Sequence, residues 1–275
     1  MLLLKDGVSF KLPLGQNQVI VPSQPIVAIL GDDVMLPSRV EPAVDAAGMT
    51  VEWTRPALTP RFVYVWRDGV ELESKKHPSF KTRTSLSIDK LKLGDISLKL
   101  SNVTLNDGGS YTCFIPSLNG KSSVELVVGA VSSPDIIIAG LDESSRGVML
   151  DCKSAGWYPE PEVLWLDAEG NLLSAGPTES VRGPDDLYTV SSRVTVEKRH
   201  SNSFTCRVQQ NNINQTREVH IHLRDDFFNT TCSPAASLTA ISLAVVIHQN
   251  QQSHPQNRGN RPHEDVEENG KLVVT

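Results

Sequence analysis

Residues 107–113 read Asp-Gly-Gly-Ser-Tyr-Thr-Cys, and the reading of this stretch decides the fold. Asp107, Gly108 and Gly109 are turn formers. Ser110 to Ile115 then alternates as a strand, which predicts Tyr111 and Cys113 facing inward and Thr112 and Phe114 facing outward. The runs on either side have the same character, being short, rich in β-branched and aromatic residues and bounded by turn signals. Pro25 to Leu30, Val34 to Val40, Thr50 to Thr54, Arg61 to Trp66 and Val124 to Val128 read as strands. Leu86 and Ile88, and Leu98 and Leu100, recur at the strand spacing of two. Arg67-Asp68-Gly69 is a hairpin turn.

The layout repeats further along the chain. Val148 to Cys152, Val163 to Leu166, Tyr188 to Val196, Ser203 to Gln209 and Val219 to Leu223 form a second set of short strands. Neither set has a helical period, so the fold class is all-β, with two tandem β-sandwiches at 19–129 and 130–224. An extension at 1–18 precedes them, a stalk with a short apolar run follows at 225–247, and a polar tail expected to be disordered ends the chain at 248–275. A length of 275 residues fits about two domains with tails. With 39% hydrophobic and 21% charged residues, 18 Gly and 17 Pro, the composition is that of a globular protein. It excludes collagen, a long coiled coil and a wholly disordered chain. The net charge of −6 disfavours a general nucleic-acid binder.

In the second segment Cys152, Trp165 and Cys206 follow in the order found in immunoglobulin domains, and Phe204 stands two before Cys206. Phe204-Thr205-Cys206-Arg207-Val208 and the loop Gly156-Trp157-Tyr158-Pro159 resemble the constant set. In the first segment Asp107, Gly109, Tyr111 and Cys113 resemble the D-x-G-x-Y-x-C signature of the variable set. Gly31-Asp32-Asp33-Val34, Val51-Glu52-Trp53-Thr54-Arg55-Pro56, Arg67-Asp68-Gly69, Arg83-Thr84-Ser85-Leu86 and Gly129-Ala130-Val131-Ser132 also recur in butyrophilins. The chain therefore resembles the butyrophilin family, close also to myelin oligodendrocyte glycoprotein, from about Val21 to Ala244.

The resemblance implies a variable-type sandwich followed by a constant-type one. It implies a Cys152–Cys206 disulfide packed on Trp165, a core Trp53, an ion pair between Arg83 and Asp107, and a tyrosine corner at Tyr111. The family's second cysteine of the variable domain would stand at the position of Ser38, so Cys113 is left as a thiol and Ser38 puts a hydroxyl in the core. An unpartnered buried hydroxyl costs about 1–3 kcal/mol, and a disulfide's contribution of about 2–4 kcal/mol is absent.

Binding is the function this implies. With Val63 and Val65 read as core, Phe62, Tyr64 and Trp66 are expected to join Thr112 and Phe114 on an exposed partner-binding face, with Pro116 to Lys121 as its rim. The family points to a receptor on lymphocytes or another cell and to regulation of T-cell activation and cytokine production. The alternatives are a homophilic adhesion molecule that self-associates, or a secreted or decayed form of either.

No catalytic motif, phosphate loop or cofactor motif stands in the sequence. His220 and His222 share a strand face without a third ligand, so no metal and no enzyme activity are expected. Asn102, Asn214 and Asn229 begin N-glycosylation sequons. Met1 to Leu4 is apolar but ends at Lys5, too short for a signal peptide. Ala235 to Ile247 has no charge but is shorter than a spanning helix, making it a truncated candidate membrane anchor beside Cys232. The domains nonetheless imply the external side of the plasma membrane, or secretion.

Overall fold

The computed structural model describes residues 17–142, 144–228 and 248–250. The first sandwich holds β1 (Gln18–Ile20), β2 (Ile26–Ile29), β3 (Val34–Leu36), β4 (Arg39–Glu41), β5 (Val51–Thr54), β6 (Phe62–Arg67), β7 (Val70–Glu71), β8 (Thr84–Ser85), β9 (Leu98–Leu100), β10 (Gly109–Ile115) and β11 (Gly120–Gly129). One sheet runs β2-β11-β10-β5-β6-β7, the other β3-β9-β8, and β1 pairs with β4. All pairs are antiparallel except β2, which runs parallel to β11. The second sandwich holds β12 (Asp135–Asp142), β13 (Gly147–Trp157), β14 (Glu162–Leu166), β15 (Glu179–Arg182), β16 (Tyr188–Val196), β17 (Ser203–Gln210) and β18 (Gln215–His222). Its sheets are β12-β13-β16-β15 and β14-β17-β18, the latter extended by β19 (His248–Asn250).

Each sandwich closes around an indole. Trp53 is buried among Leu36, Leu98, Leu100, Tyr111 and Cys113, and its Nε1 donates to the Ile96 carbonyl at 3.0 Å. Trp165 is buried beside Cys152 and Cys206, with its Nε1 on Ser192 Oγ at 3.2 Å. A buried aromatic removes 150–250 Å² from water, an upper estimate of about 4–6 kcal/mol, provided its polar atom finds a partner. Both indoles meet that condition.

Three local expectations change. Val34 to Val40 is two strands, because Pro37 lacks the N–H that an unbroken ladder needs. Leu86 and Ile88 do not share a strand; Ile88–Leu91 is a single helical turn, the one α-helix among the described residues. His248–Asn250, in the tail expected to be disordered, pairs antiparallel with Glu218, Val219 and His220. The edge of β18 offers unpaired N–H and C=O groups that such a segment satisfies. The remaining tail and the 235–247 run lie outside the described residues, and no described helix is long and apolar enough to cross a membrane.

The sandwiches meet without a linker. Ala130 and Tyr158 exchange backbone hydrogen bonds at 2.8 and 2.9 Å. A Cβ on Gly129 would fall 2.4 Å from Ile213 Cδ1, so the missing side chain is the socket that Ile213 fills. Ile213 stands on the 3-10 turn Asn211–Ile213, whose start is fixed by Asn212 N–H donating to Gln210 Oε1 at 2.8 Å.

Candidate binding face

The outer surface of β11, β10, β5, β6 and β7 is the candidate site, and strand register sets its membership. Residues directly opposite on antiparallel strands share a face. Lys121, Phe114, Glu52 and Val65 form one row across β11, β10, β5 and β6. Ser123, Thr112, Thr54 and Phe62 form the next. Phe62 and Phe114 are half-buried, while Lys121 and Ser123 are exposed. Thr112 is buried, with its Oγ1 2.9 Å from Ser123 Oγ, so it contributes order rather than contact area. Arg67 Nη2 reaches Glu52 Oε1 at 3.6 Å, and exposed Val70 on β7 ends the face. The 3-10 turn Pro116–Leu118 and left-handed Asn119 make the rim.

Tyr64 and Trp66 do not belong to this face. They are 1% and 5% exposed and lie in the core. Tyr64 stands opposite Trp53 and Trp66 opposite Val51, so each takes the inward face of its partner. The register shifts between Trp53 and Thr54, and one extra residue there flips the alternation of β6. Val65 stands opposite Glu52 but is only 2% exposed, buried as expected.

Behind Tyr64 lies a charged group that the sequence reading missed. Lys76 is fully buried, pairs with Glu71 and, at 2.8 Å, with Glu73 Oε2, and sits 4.7 Å over the Tyr64 ring. Tyr64 Oη donates to Glu71 Oε2 at 3.1 Å. Burial first, and then the Glu71 charge, push the Tyr64 phenol up. The network ties the β7 edge to the core. The only sequence signal for it is the run Glu71 to Lys76 with charges at a helical-turn spacing.

At the end of the sandwich near the elbow, Arg83 forks onto Asp107 with contacts of 2.7 and 2.8 Å. Burial raises the Asp107 carboxyl, but the Arg83 fork and the Thr104 N–H outweigh it and hold the pKa below the usual carboxylate range. Tyr111 Oη donates to the Asp107 carbonyl at 2.7 Å. Arg55 completes the corner, donating to the Asn106 and Gly108 carbonyls at 2.8 and 2.5 Å beneath the Tyr111 ring.

Cys152 and Cys206 are disulfide-bonded, with Cα atoms 6.3 Å apart. Cys113 is a buried free thiol. Burial pushes it up to about 12, which its neighbour Ser38 eases only in part. Ser38 Oγ is buried without a hydrogen-bond partner. Asn102 and Asn214 are exposed, and Asn229 lies outside the described residues. His220 and His222 face Thr205 and Ser203 through Nδ1, at 2.7 and 3.0 Å. Among the described residues no three His, Cys, Asp or Glu side chains converge on a metal position.

Comparison with known proteins fits this architecture. Residues 21–128 match the immunoglobulin V-set domain, and residues 131–218 match the family model described as "Butyrophilin subfamily 3 member A2-like, Ig-C domain". The chain is 31% identical to Butyrophilin subfamily 1 member A1 of Homo sapiens over 240 residues, covering 86% of this chain and 43% of that protein. It is 29% identical to Selection and upkeep of intraepithelial T-cells protein 4 of Mus musculus, covering 86% of this chain and 50% of that one. The chain thus spans about half the length of these curated relatives or less. The crystal structure of bovine butyrophilin superposes with a TM-score of 0.65 at 29% identity, covering 76% of this chain and all of that one. The chain belongs to the butyrophilin family of immunoglobulin proteins.

Proposed function

We propose that this protein binds a receptor on lymphocytes through the outer face of its first sandwich and so regulates T-cell activation, acting outside the cell at the plasma membrane as a ligand rather than as an enzyme. The observation that carries the reading is the pair of rows on that face. Two half-buried phenylalanines stand among charged and hydroxyl side chains, on a sheet of paired strands. Aromatic anchors ringed by polar groups make up most protein-protein hot spots. A stable contact needs about 800 Å² from each partner, which five adjacent strands can supply. Relatives named for the upkeep of intraepithelial T cells support the choice of partner cell.

The test is binding of the labelled full chain to lymphocytes. Phe114→Ala is expected to weaken binding at least tenfold with the melting temperature unchanged. A folded Phe114→Ala protein that binds like the wild type would remove the face from the reading. Homophilic adhesion is the second reading, since the same face suits a second copy. Concentration-dependent dimerisation in sedimentation, lost on Phe114→Ala, would select it.

A further inference from the structure

The polar groups between the two phenylalanines of the face are already paired. Glu52 is neutralised by Arg67, 3.6 Å away. Thr54 Oγ1 donates to the Thr112 carbonyl at 3.4 Å, and Thr112 Oγ1 is bonded to Ser123 Oγ at 2.9 Å. Two cations at the margins are not paired. Lys121 is exposed and stands directly opposite Phe114. Arg61 is exposed, and its guanidinium carbon lies 5.4 Å from the centre of the Phe62 ring. Neither has a carboxylate oxygen within 4.0 Å among the described residues. Each phenylalanine thus has one uncompensated cation beside it, on a chain whose net charge is −6. Glu125, the other exposed carboxylate of β11, stands opposite Ser110, two rows from Lys121. That is about 14 Å along the strand, beyond a screening length of about 8 Å at physiological salt. The sheet fixes the remaining spacings. Phe114 and Phe62 are two strands and one row apart, about 12 Å at the usual strand spacing and rise. Lys121 and Arg61 bound them three strands apart, about 16 Å between backbone positions.

We propose that the receptor meets this face with an apolar stripe bounded by two carboxylates about 16 Å apart, one set against Lys121 and the other against Arg61. This rests on the receptor reading given above. An Asp or Glu at either end finds a cation whose stem lies along a phenylalanine, so the charge pair closes over the aromatic anchor and helps to keep water from it. Because both cations are exposed, they act on encounter more than on residence: they draw an acidic surface in and orient it. A surface with basic groups at those two points meets like charge at both ends and is rejected. Lys121 and Arg61 therefore select the partner, while Phe114 and Phe62 hold it.

The test follows association and dissociation of the labelled full chain on lymphocytes, in isotonic medium at about 0.05 and about 0.15 M salt, where the screening length falls from roughly 14 to 8 Å. Lys121→Glu and Arg61→Glu are each expected to slow association at least about fivefold, with dissociation changed less than about twofold and the deficit smaller at the higher salt. Both side chains are exposed, so melting should not move. Lys153→Glu, at an exposed position of β13 in the second sandwich, makes the same change in net charge away from the face and should associate like the wild type. Unchanged or faster association in either face variant would overturn the proposal. So would an equal loss in Lys153→Glu, since net charge alone would then steer the chain. A wild-type chain that does not bind, or a folded Phe114→Ala chain that binds fully, overturns the receptor reading and this inference with it. Binding lost in Phe114→Ala but kept in both charge variants overturns this inference alone.

Discussion

Ser38→Cys tests the energetics of the first sandwich most directly. Ser38, just after β3, and Cys113 on β10 are buried neighbours, one an orphan hydroxyl and the other a thiol. A bridge would close a loop of about 75 residues, and the chain-entropy expression gives about 4.5 kcal/mol for that length. Strain in an unselected bridge reduces this, so about 2–4 kcal/mol is expected. Removing the orphan hydroxyl adds about 1 kcal/mol or more. For a sandwich of this size about 3 kcal/mol corresponds to roughly 10–15 °C in melting temperature. Calorimetry of the full chain should show only the transition of the first sandwich moving up, and reduction should return it. Thiol titration in denaturant should fall by one relative to the wild type. Ser38→Ala is the control, since it removes the hydroxyl without offering a bridge. A thiol count that rises by one, with no change in melting, would refute the placement of Ser38 against Cys113.

Asp107 makes the first sandwich sensitive to acid. Its folded pKa is depressed, so its stabilisation is present above the unfolded value near 3.9 and is lost as pH falls through the lower folded value. Asp107→Asn should cost about 2–3 kcal/mol at neutral pH, and melting curves taken below pH 4 should converge with the wild type. Gly129→Val should overfill the elbow by about 1–3 kcal/mol and splay the sandwiches, read as a larger radius of gyration in small-angle scattering. Gly129→Val combined with Ile213→Ala should restore the radius, because the clash is with Ile213 Cδ1.

The cores were legible where a strand keeps its alternation undisturbed. On β10 the order Tyr111, Thr112, Cys113, Phe114 needs no correction, since β10 pairs in continuous register with β11. On β6 the same reasoning holds for Val63 and Val65, which are buried, and fails for Tyr64 and Trp66, which are buried too. Phe62 to Trp66 is apolar at every position, so no polar residue marks which side faces water. The deciding feature is a register shift against β5, a property of two strands and not of one. Proline explains the break at Pro37. Nothing local announces the burial of Lys76, because its partners Glu71 and Glu73 and the Tyr64 ring converge only when β6 and β7 pair. The elbow was equally hidden: Gly129 and Ile213 are far apart in sequence and meaningful only as plug and socket.

The missing staple between Ser38 and Cys113 also sets how the molecule responds to load. When the chain is pulled from its two ends, tension passes through both sandwiches in series. In the second, the disulfide shields the residues between Cys152 and Cys206 from extension, so little length can be paid out. The first has no such stop, and once its sheets shear apart each released residue adds about 3.4 Å of contour. The first sandwich is thus the compliant link of the pair, able to lengthen and dissipate a tug while the second holds its shape.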